Sequence, residues 1–282
     1  MNRKARIVFH LDDVGSSAGS VKAWQDLRRA GCVTTASAMV PCPWYPAVAN
    51  DYREDPGQDL GIHLTLTSEW SHYRWRPMSS GGGGLVDDEG YFHRRPEAVA
   101  EFADLRAVED EMRAQIERAL SDGIRPTHLD AHMGTAYLER FLPALFRVAD
   151  EYGIPPALFR NIGALASDVG MSLESPLDAP SHFIEEANIR GWPVLDHFLI
   201  CFCPDEAEAE THFSDLVAGA PPGMHWLALH ANAEDDMRVF APDTYAARVK
   251  EYELFRQPGT KERFRAICQV SNWREVLERR IP

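Results

Sequence analysis

Two adjacent carboxylates, Asp12 and Asp13, end the first apolar run of this chain. Like charges at neighbouring positions repel each other, and aspartate disfavours strands, so the pair needs a cationic partner. Two later apolar runs carry imidazoles: His63 in Gly-Ile-His-Leu, and His128 and His132 in Thr-His-Leu-Asp-Ala-His. Aspartate and histidine side chains delivered by several strand ends can hold a catalytic metal ion.

The expected metal ligands are Asp13, His63 and His132, each at or near the carboxyl end of its run. One carboxylate and two imidazoles suit Zn²⁺, Fe²⁺, Mn²⁺, Co²⁺ or Ni²⁺ and leave positions open for water and substrate. Mg²⁺ prefers oxygen ligands. Strand alternation puts His128, Asp130 and His132 on one side, so Asp130 is predicted to orient an imidazole and His128 to support the site from deeper in the fold. A buried polar network without a metal is the alternative.

The elements that must position these residues follow from the alternation of short β-branched runs with longer helical ones. Strands are predicted at 6–12, 32–40, 59–66, 125–132, 157–161, 196–202, 224–230 and 264–270. Helices are predicted at 19–30, 106–121, 138–152, 182–190, 205–218, 243–256 and 272–280. This order predicts a parallel α/β sheet, and about eight strands favour one (β/α)-barrel domain over 1–282, complete or distorted. A doubly wound open sheet is the competing fold.

A long stretch without periodicity, 68–97, follows the third predicted strand. Loops of this length inside a compact domain are usually functional or disordered, and a lid-like insertion facing the substrate is the favoured interpretation. Its aromatic and basic side chains could contact a sugar, so the candidate substrate-binding residues are Trp70, Tyr73, Arg74 and Trp75. The alternative is that Trp70 and Trp75 only anchor the loop to the body of the protein.

The composition limits the classes of partner that the protein is expected to bind. The net charge of −14 argues against nucleic acid and anionic membranes, which bind clusters of lysine and arginine. No apolar run reaches the length of a membrane span and no signal-peptide core precedes the first strand, so a cytoplasmic location is expected. The five cysteines show no pairing pattern and are predicted to be buried, reduced thiols. A homodimer is the default expectation.

Three motifs together resemble the YdjC-like carbohydrate deacetylases, a family that includes chitooligosaccharide deacetylases and a branch associated with hopanoid biosynthesis. The resemblance spans residues 5 to about 280, and the motifs match in order and spacing. They are Asp12-Asp13-Val14-Gly15, Gly61-Ile62-His63-Leu64 and Pro126-Thr127-His128-Leu129-Asp130-Ala131-His132.

The resemblance implies one divalent metal ion, zinc or magnesium first and cobalt, nickel or manganese as further options, bound by Asp13, His63 and His132. It implies that Asp12 is the general base. The late segment Trp-Leu-Ala-Leu-His-Ala-Asn resembles the family segment whose histidine is the general acid, here His230. The chemistry agrees with these roles, because amide hydrolysis needs an activated water, a stabilised oxyanion and a proton for the departing amine.

The predicted function is therefore metal-dependent hydrolysis of the N-acetyl group of an amino sugar or short oligosaccharide, with release of acetate. Another metal-dependent barrel hydrolase, an amidohydrolase or a phosphoesterase, is one alternative. The absence of lysine from the predicted strand ends counts against the type with a lysine bridge between metals. A catalytically silent sugar-binding protein is the other alternative, and the intact set of Asp12, Asp13 and His230 counts against it.

Overall fold

Parallel strands form the centre of the fold. The structure is a computed structural model that describes residues 4–80, 82–161, 181–201 and 209–278. Its eight strands belong to one sheet. They are β1 Arg6–Val14, β2 Thr35–Ala38, β3 Leu60–Leu64, β4 Leu129–Ala131, β5 Leu158–Asn161, β6 Val194–Ile200, β7 Met224–Leu229 and β8 Gln269–Ser271.

The sheet curls until its two ends meet. Neighbouring strands follow the order β4-β3-β2-β1-β7-β6-β5, and β8 pairs with the start of β1. The backbone N–H of Leu129 in β4 donates to the Pro155 carbonyl at 3.1 Å, and Ala157 N–H donates to the Leu129 carbonyl at 2.8 Å. These bonds join β4 to the segment that leads into β5. The fold is thus a distorted (β/α) barrel, as predicted, and not an open doubly wound sheet.

Helices cover the outside of the barrel and connect most of its strands. They are α1 Ala18–Ala30, α2 Tyr45–Glu54, α3 Pro96–Phe102, α4 Leu105–Ser121, α5 Leu142–Tyr152, α6 Ser181–Arg190, α7 Ala209–Gly219, α8 Met237–Phe240, α9 Pro242–Phe255, α10 Thr260–Ile267 and α11 Trp273–Glu278. In α4 the buried side chains of Val108, Met112 and Ile116 recur every four residues, which gives this helix one apolar face toward the sheet. None of the helices in the described ranges combines the length and apolarity needed to cross a membrane.

The last predicted strand, 264–270, is wrong over most of its length. Thr260–Ile267 forms α10, and β8 begins only at Gln269. The reason is the packing of Phe264, whose ring stacks on Phe255 with centroids 5.3 Å apart and lies 5.2 Å from the ring of Phe9. The two buried residues of α10 are Thr260 and Phe264. They are four residues apart, which puts them on one face of a helix.

The loop between β3 and α3 is held to the body of the protein by its own contacts. Ser68 N–H donates to the His93 carbonyl at 2.9 Å, so the two ends of the loop meet. The indole of Trp75 is 3% exposed and donates to the Thr67 carbonyl at 2.8 Å. The guanidinium of Arg74 pairs with Asp87 at 2.7 Å, inside the same loop. Trp75 therefore anchors the loop, which was one of the two interpretations of this residue.

Gly61 in β3 leaves room for the ring of His128. A Cβ at Gly61 would lie 2.4 Å from His128 Nε2, and the ring is fully buried between neighbouring aromatic side chains. We expect Gly61→Ala to lower the free energy of unfolding in urea by about 1–3 kcal/mol through overpacking. Gly219→Ala is the matched control, because a Cβ there meets no atom within 4 Å. Equal stability losses in the two variants would contradict this prediction.

Candidate metal centre and its pocket

Asp12 and Asp13 lie at the end of β1, where the strand loses its regular geometry. A regular strand sends successive side chains to opposite faces. Asp13, however, has a φ of 62°, in the left-handed region that aspartate tolerates better than most residues. The pairing of β1 with β2 also shifts register between Leu11 and Val14. Both carboxylates consequently line the same cavity.

The three predicted metal ligands come together at the mouth of the barrel. Asp13 Oδ1 lies 3.0 Å from His132 Nδ1 and 3.3 Å from His63 Nε2. His63 belongs to β3, and His132 follows directly after β4. Their donor atoms all lie within 4.8 Å of one another, and the residues are buried. One carboxylate oxygen and two imidazole nitrogens at this spacing fit a divalent transition-metal ion.

Asp130, which the sequence predicted to orient an imidazole, lies behind the ring of His63. Its Oδ1 is 3.0 Å from His63 Nδ1, and its Oδ2 accepts a hydrogen bond from the Ser37 hydroxyl at 2.7 Å. Burial opposes ionisation of Asp130, but His63 and His10 outweigh it and hold the pKa of this carboxyl well below its usual range. The side chain of His63 is therefore held from behind by an ionised carboxylate, with Nε2 directed toward Asp13.

Arg248 of α9 reaches into the same centre. Its guanidinium donates to Asp13 Oδ2 at 2.7 Å, so the second carboxylate oxygen is occupied while Oδ1 faces the two imidazoles. Burial would raise the pKa of Asp13, but Arg248 and His132 outweigh it and hold this pKa well below its usual range. Arg248 thus fixes one oxygen of Asp13, and it is not among the site residues that the sequence predicted.

Asp12 and His230 face each other on the other side of Asp13. The Oδ2 atom of Asp12 is 3.7 Å from His230 Nε2, and both residues line the cavity. Burial raises the pKa of Asp12 well above its usual range and lowers the pKa of His230 to about 3. The backbone of His230, just after β7, is held by Glu251 of α9, whose carboxylate accepts from the His230 N–H at 2.5 Å.

His128 and His10 form a layer beneath the centre. His128 is fully buried, its Nδ1 lies 2.9 Å from the Thr127 hydroxyl, and burial lowers its pKa to about 3. His10 Nε2 is 3.2 Å from both Asp12 Oδ1 and Asp130 Oδ2. These positions place His128 deep in the barrel, where the sequence predicted it, and they bring His10 into contact with both carboxylates.

The cavity has a volume of about 400 Å³ and combines this polar centre with an apolar wall. The wall is built from Trp70, Phe159, Phe198, Ile200 and Trp226. Of the four candidate substrate-binding residues, Trp70 lines the cavity. Tyr73 donates its hydroxyl to the Ser16 carbonyl at 2.7 Å, while Arg74 and Trp75 bind within the loop.

The fold and this site together define an α/β-barrel protein with a candidate metal centre at its strand ends. Residues 6–266 match the family described as YdjC-like protein, so the chain belongs to that family. It is 31% identical to a carbohydrate deacetylase of Thermus thermophilus, over 96% of this chain and 94% of that protein. It is also 32% identical to carbohydrate deacetylase 1 of Listeria innocua, over 53% of this chain and 59% of that protein.

A solved structure shares the fold. It is a protein of Enterococcus faecalis V583 that was proposed to act in cellobiose-phosphate cleavage. The TM-score is 0.75 with 22% identity, and the alignment covers 98% of this chain and 99% of the other. At this identity the likeness supports the barrel architecture alone.

Proposed function

We propose that the protein is a metal-dependent carbohydrate deacetylase that hydrolyses the N-acetyl group of an amino sugar or a short oligosaccharide and releases acetate. The observation that carries the proposal is that Asp12 and His230 face one cavity beside the Asp13, His63 and His132 donor set. A base, an acid and a cation site within one pocket are what amide hydrolysis requires. Relatives that carry the name carbohydrate deacetylase support the substrate class.

We assign metal binding to Asp13, His63 and His132. When bound, a divalent ion would polarise the acetyl carbonyl and acidify a water. Two nitrogens and one oxygen favour zinc over magnesium, with cobalt, nickel and manganese also compatible with the set. Asp130 holds His63 from behind, and Arg248 keeps Asp13 in one orientation.

Asp12 is assigned as the general base. Burial raises the pKa of its carboxyl, which makes the ionised form a stronger acceptor for the proton of the attacking water. Asp13 keeps its negative charge beside Arg248, so Asp12 is the acid of the pair that takes up the proton.

His230 is assigned as the donor to the departing amine. Burial lowers the pKa of His230 to about 3, so its imidazole starts the reaction neutral. A neutral imidazole must gain a proton before it can deliver one, and we assign as its source the proton that Asp12 has taken from water. The Oδ2 atom of Asp12 lies 3.7 Å from His230 Nε2, so the two side chains must move to hydrogen-bond distance for this transfer. This transfer leaves both residues as they began, one ionised and one neutral.

The test is acetate release by protein loaded with Zn²⁺ or Mg²⁺ in separate samples. The substrates are N-acetylglucosamine, its 6-phosphate and N-acetylated chitooligosaccharides of two to five units. We expect turnover of at least one of these sugars and none by protein treated with a chelator. Tight metal binding without acetate release from any N-acetylated sugar would overturn the deacetylase proposal. A homodimer and a cytoplasmic location stay predictions of the sequence.

Trp70 is the residue we expect to affect sugar binding. Its indole lines the cavity and packs against Phe240 with ring centroids 4.9 Å apart. Trp70→Ala should raise KM about two- to tenfold with a smaller change in kcat, because an aromatic contact contributes about 0.5–1.5 kcal/mol. Trp70→Phe is the control that keeps a ring, and its KM should stay near that of the unmodified protein. An unchanged KM in Trp70→Ala would contradict the role.

A further inference from the structure

Both imidazoles of the candidate metal centre have a carboxylate on the nitrogen that faces away from Asp13. For His63 this partner is Asp130, at 3.0 Å from Nδ1. For His132 it is Glu69, whose Oε2 lies 3.0 Å from His132 Nε2. Glu69 belongs to no strand and to none of the motifs, so nothing in the sequence pattern pointed to it.

We propose that Glu69 is a positioning residue of the metal centre, which holds His132 with Nε2–H toward the loop and Nδ1 toward the metal. The inference rests on the proposed metal-dependent function and extends it to a residue outside the barrel strands. A neutral imidazole carries its proton on one of two nitrogens, and the partner of one nitrogen decides which lone pair the other presents. The acceptor at Nε2 therefore favours the tautomer that carries its proton on Nε2 and a lone pair on Nδ1. Nδ1 is the nitrogen that lies 3.0 Å from Asp13 Oδ1.

The backbone that carries Glu69 is fixed by the closure of the long loop. The preceding residue, Ser68, is fully buried; its N–H donates to the His93 carbonyl, and its hydroxyl accepts from Trp75 N–H at 3.1 Å. Trp75 in turn bonds the carbonyl of Thr67. The loop thus contributes to the metal centre by delivering one carboxylate to His132.

The chain offers three variants that separate this role from others. Glu69→Ala removes the acceptor, and Glu69→Gln keeps an amide oxygen that can accept the same hydrogen bond. Glu89→Gln is the control, because Glu89 lies in the same loop, its side chain is 71% exposed and it contacts Arg74. The dissociation constants of Zn²⁺ and Co²⁺ are measured by calorimetry, and the visible spectrum of bound Co²⁺ reports the ligand geometry.

We expect Glu69→Ala to bind both ions about 10- to 100-fold more weakly, the range typical of partners behind a metal ligand. Its Co²⁺ spectrum should change, while Glu69→Gln recovers most of the affinity and the spectrum. Glu89→Gln should match the unmodified protein. Thermal unfolding of the metal-free proteins shows whether the loop is still folded.

Two results would overturn the inference. The first is a Glu69→Ala variant that binds metal as tightly as the unmodified protein. The second is a loss of metal affinity in both Glu69 variants that is as large as the loss in Asp13→Asn. Such a loss would make Glu69 a direct ligand. Failure of the proposed function would give a different result, because the unmodified protein and Glu89→Gln would bind metal without releasing acetate. The metal affinities of the two Glu69 variants, compared with that of Glu89→Gln, would still decide the role of Glu69.

Discussion

Asp12→Asn is expected to lower kcat/KM for acetate release by about 10²- to 10⁴-fold, the usual contribution of a general base. The substitution keeps the shape of the side chain and removes the group that accepts the proton of the attacking water. Metal affinity should change little, because the oxygen that faces His63 and His132 belongs to Asp13. Kinetics and calorimetry on the same preparation measure both quantities.

The matched control for this experiment is the same substitution at the neighbouring acid, Asp13→Asn. If Asp12→Asn loses the metal while Asp13→Asn keeps it, the two roles are reversed. If Asp12→Asn retains both metal and full activity, another group acts as the base. His10 is the residue to replace next in that case, since its Nε2 lies 3.2 Å from Asp12 Oδ1.

Asp13→Asn is expected to abolish tight metal binding and to destabilise the fold as well. The first effect follows from the loss of a charged ligand between two imidazoles. The second follows because Arg248, which is 8% exposed, would keep its charge without the carboxylate that it contacts at 2.7 Å. Breaking one side of a buried ion pair costs about 3–5 kcal/mol. Urea denaturation of the metal-free variant measures this cost.

The double variant Asp13→Asn with Arg248→Met separates the two effects. Methionine is of similar length and carries no charge, so much of the lost stability should return. Metal affinity should not return, because the ligand is still missing. Recovery of metal binding in the double variant would contradict the assignment of Asp13 as a ligand.

The part of the site that the sequence predicted is the part on the strands. Asp13, His63 and His132 each lie at or near the carboxyl end of an apolar run, and the carboxyl ends of parallel strands meet at one rim of a barrel. Their convergence needs only the topology, which the alternation of strands and helices already indicates. The same strand pattern predicted a role for Asp130 in orienting an imidazole, because strand alternation puts Asp130 on the same side as His132.

The rest of the site depends on contacts that no periodicity encodes. Arg248 arrives from α9, more than a hundred residues beyond His132, in a helix where several buried residues are polar. Glu69 comes from an irregular loop whose path is set by the bonds of Ser68 and Trp75. The strand predicted at 264–270 is wrong for a similar reason, since the aromatic stack of Phe264 forms only in the folded chain.

The ion pair between Arg248 and Asp13 has a consequence for how the protein would acquire the proposed metal ion. A buried carboxylate without a charged partner destabilises a fold, and in some proteins the metal ion supplies the missing interaction, so that they are unfolded without zinc. Here the guanidinium supplies that positive charge permanently. Folding and metal loading can then be separate events, and the ion at this site would be set by what the cell supplies to a finished protein.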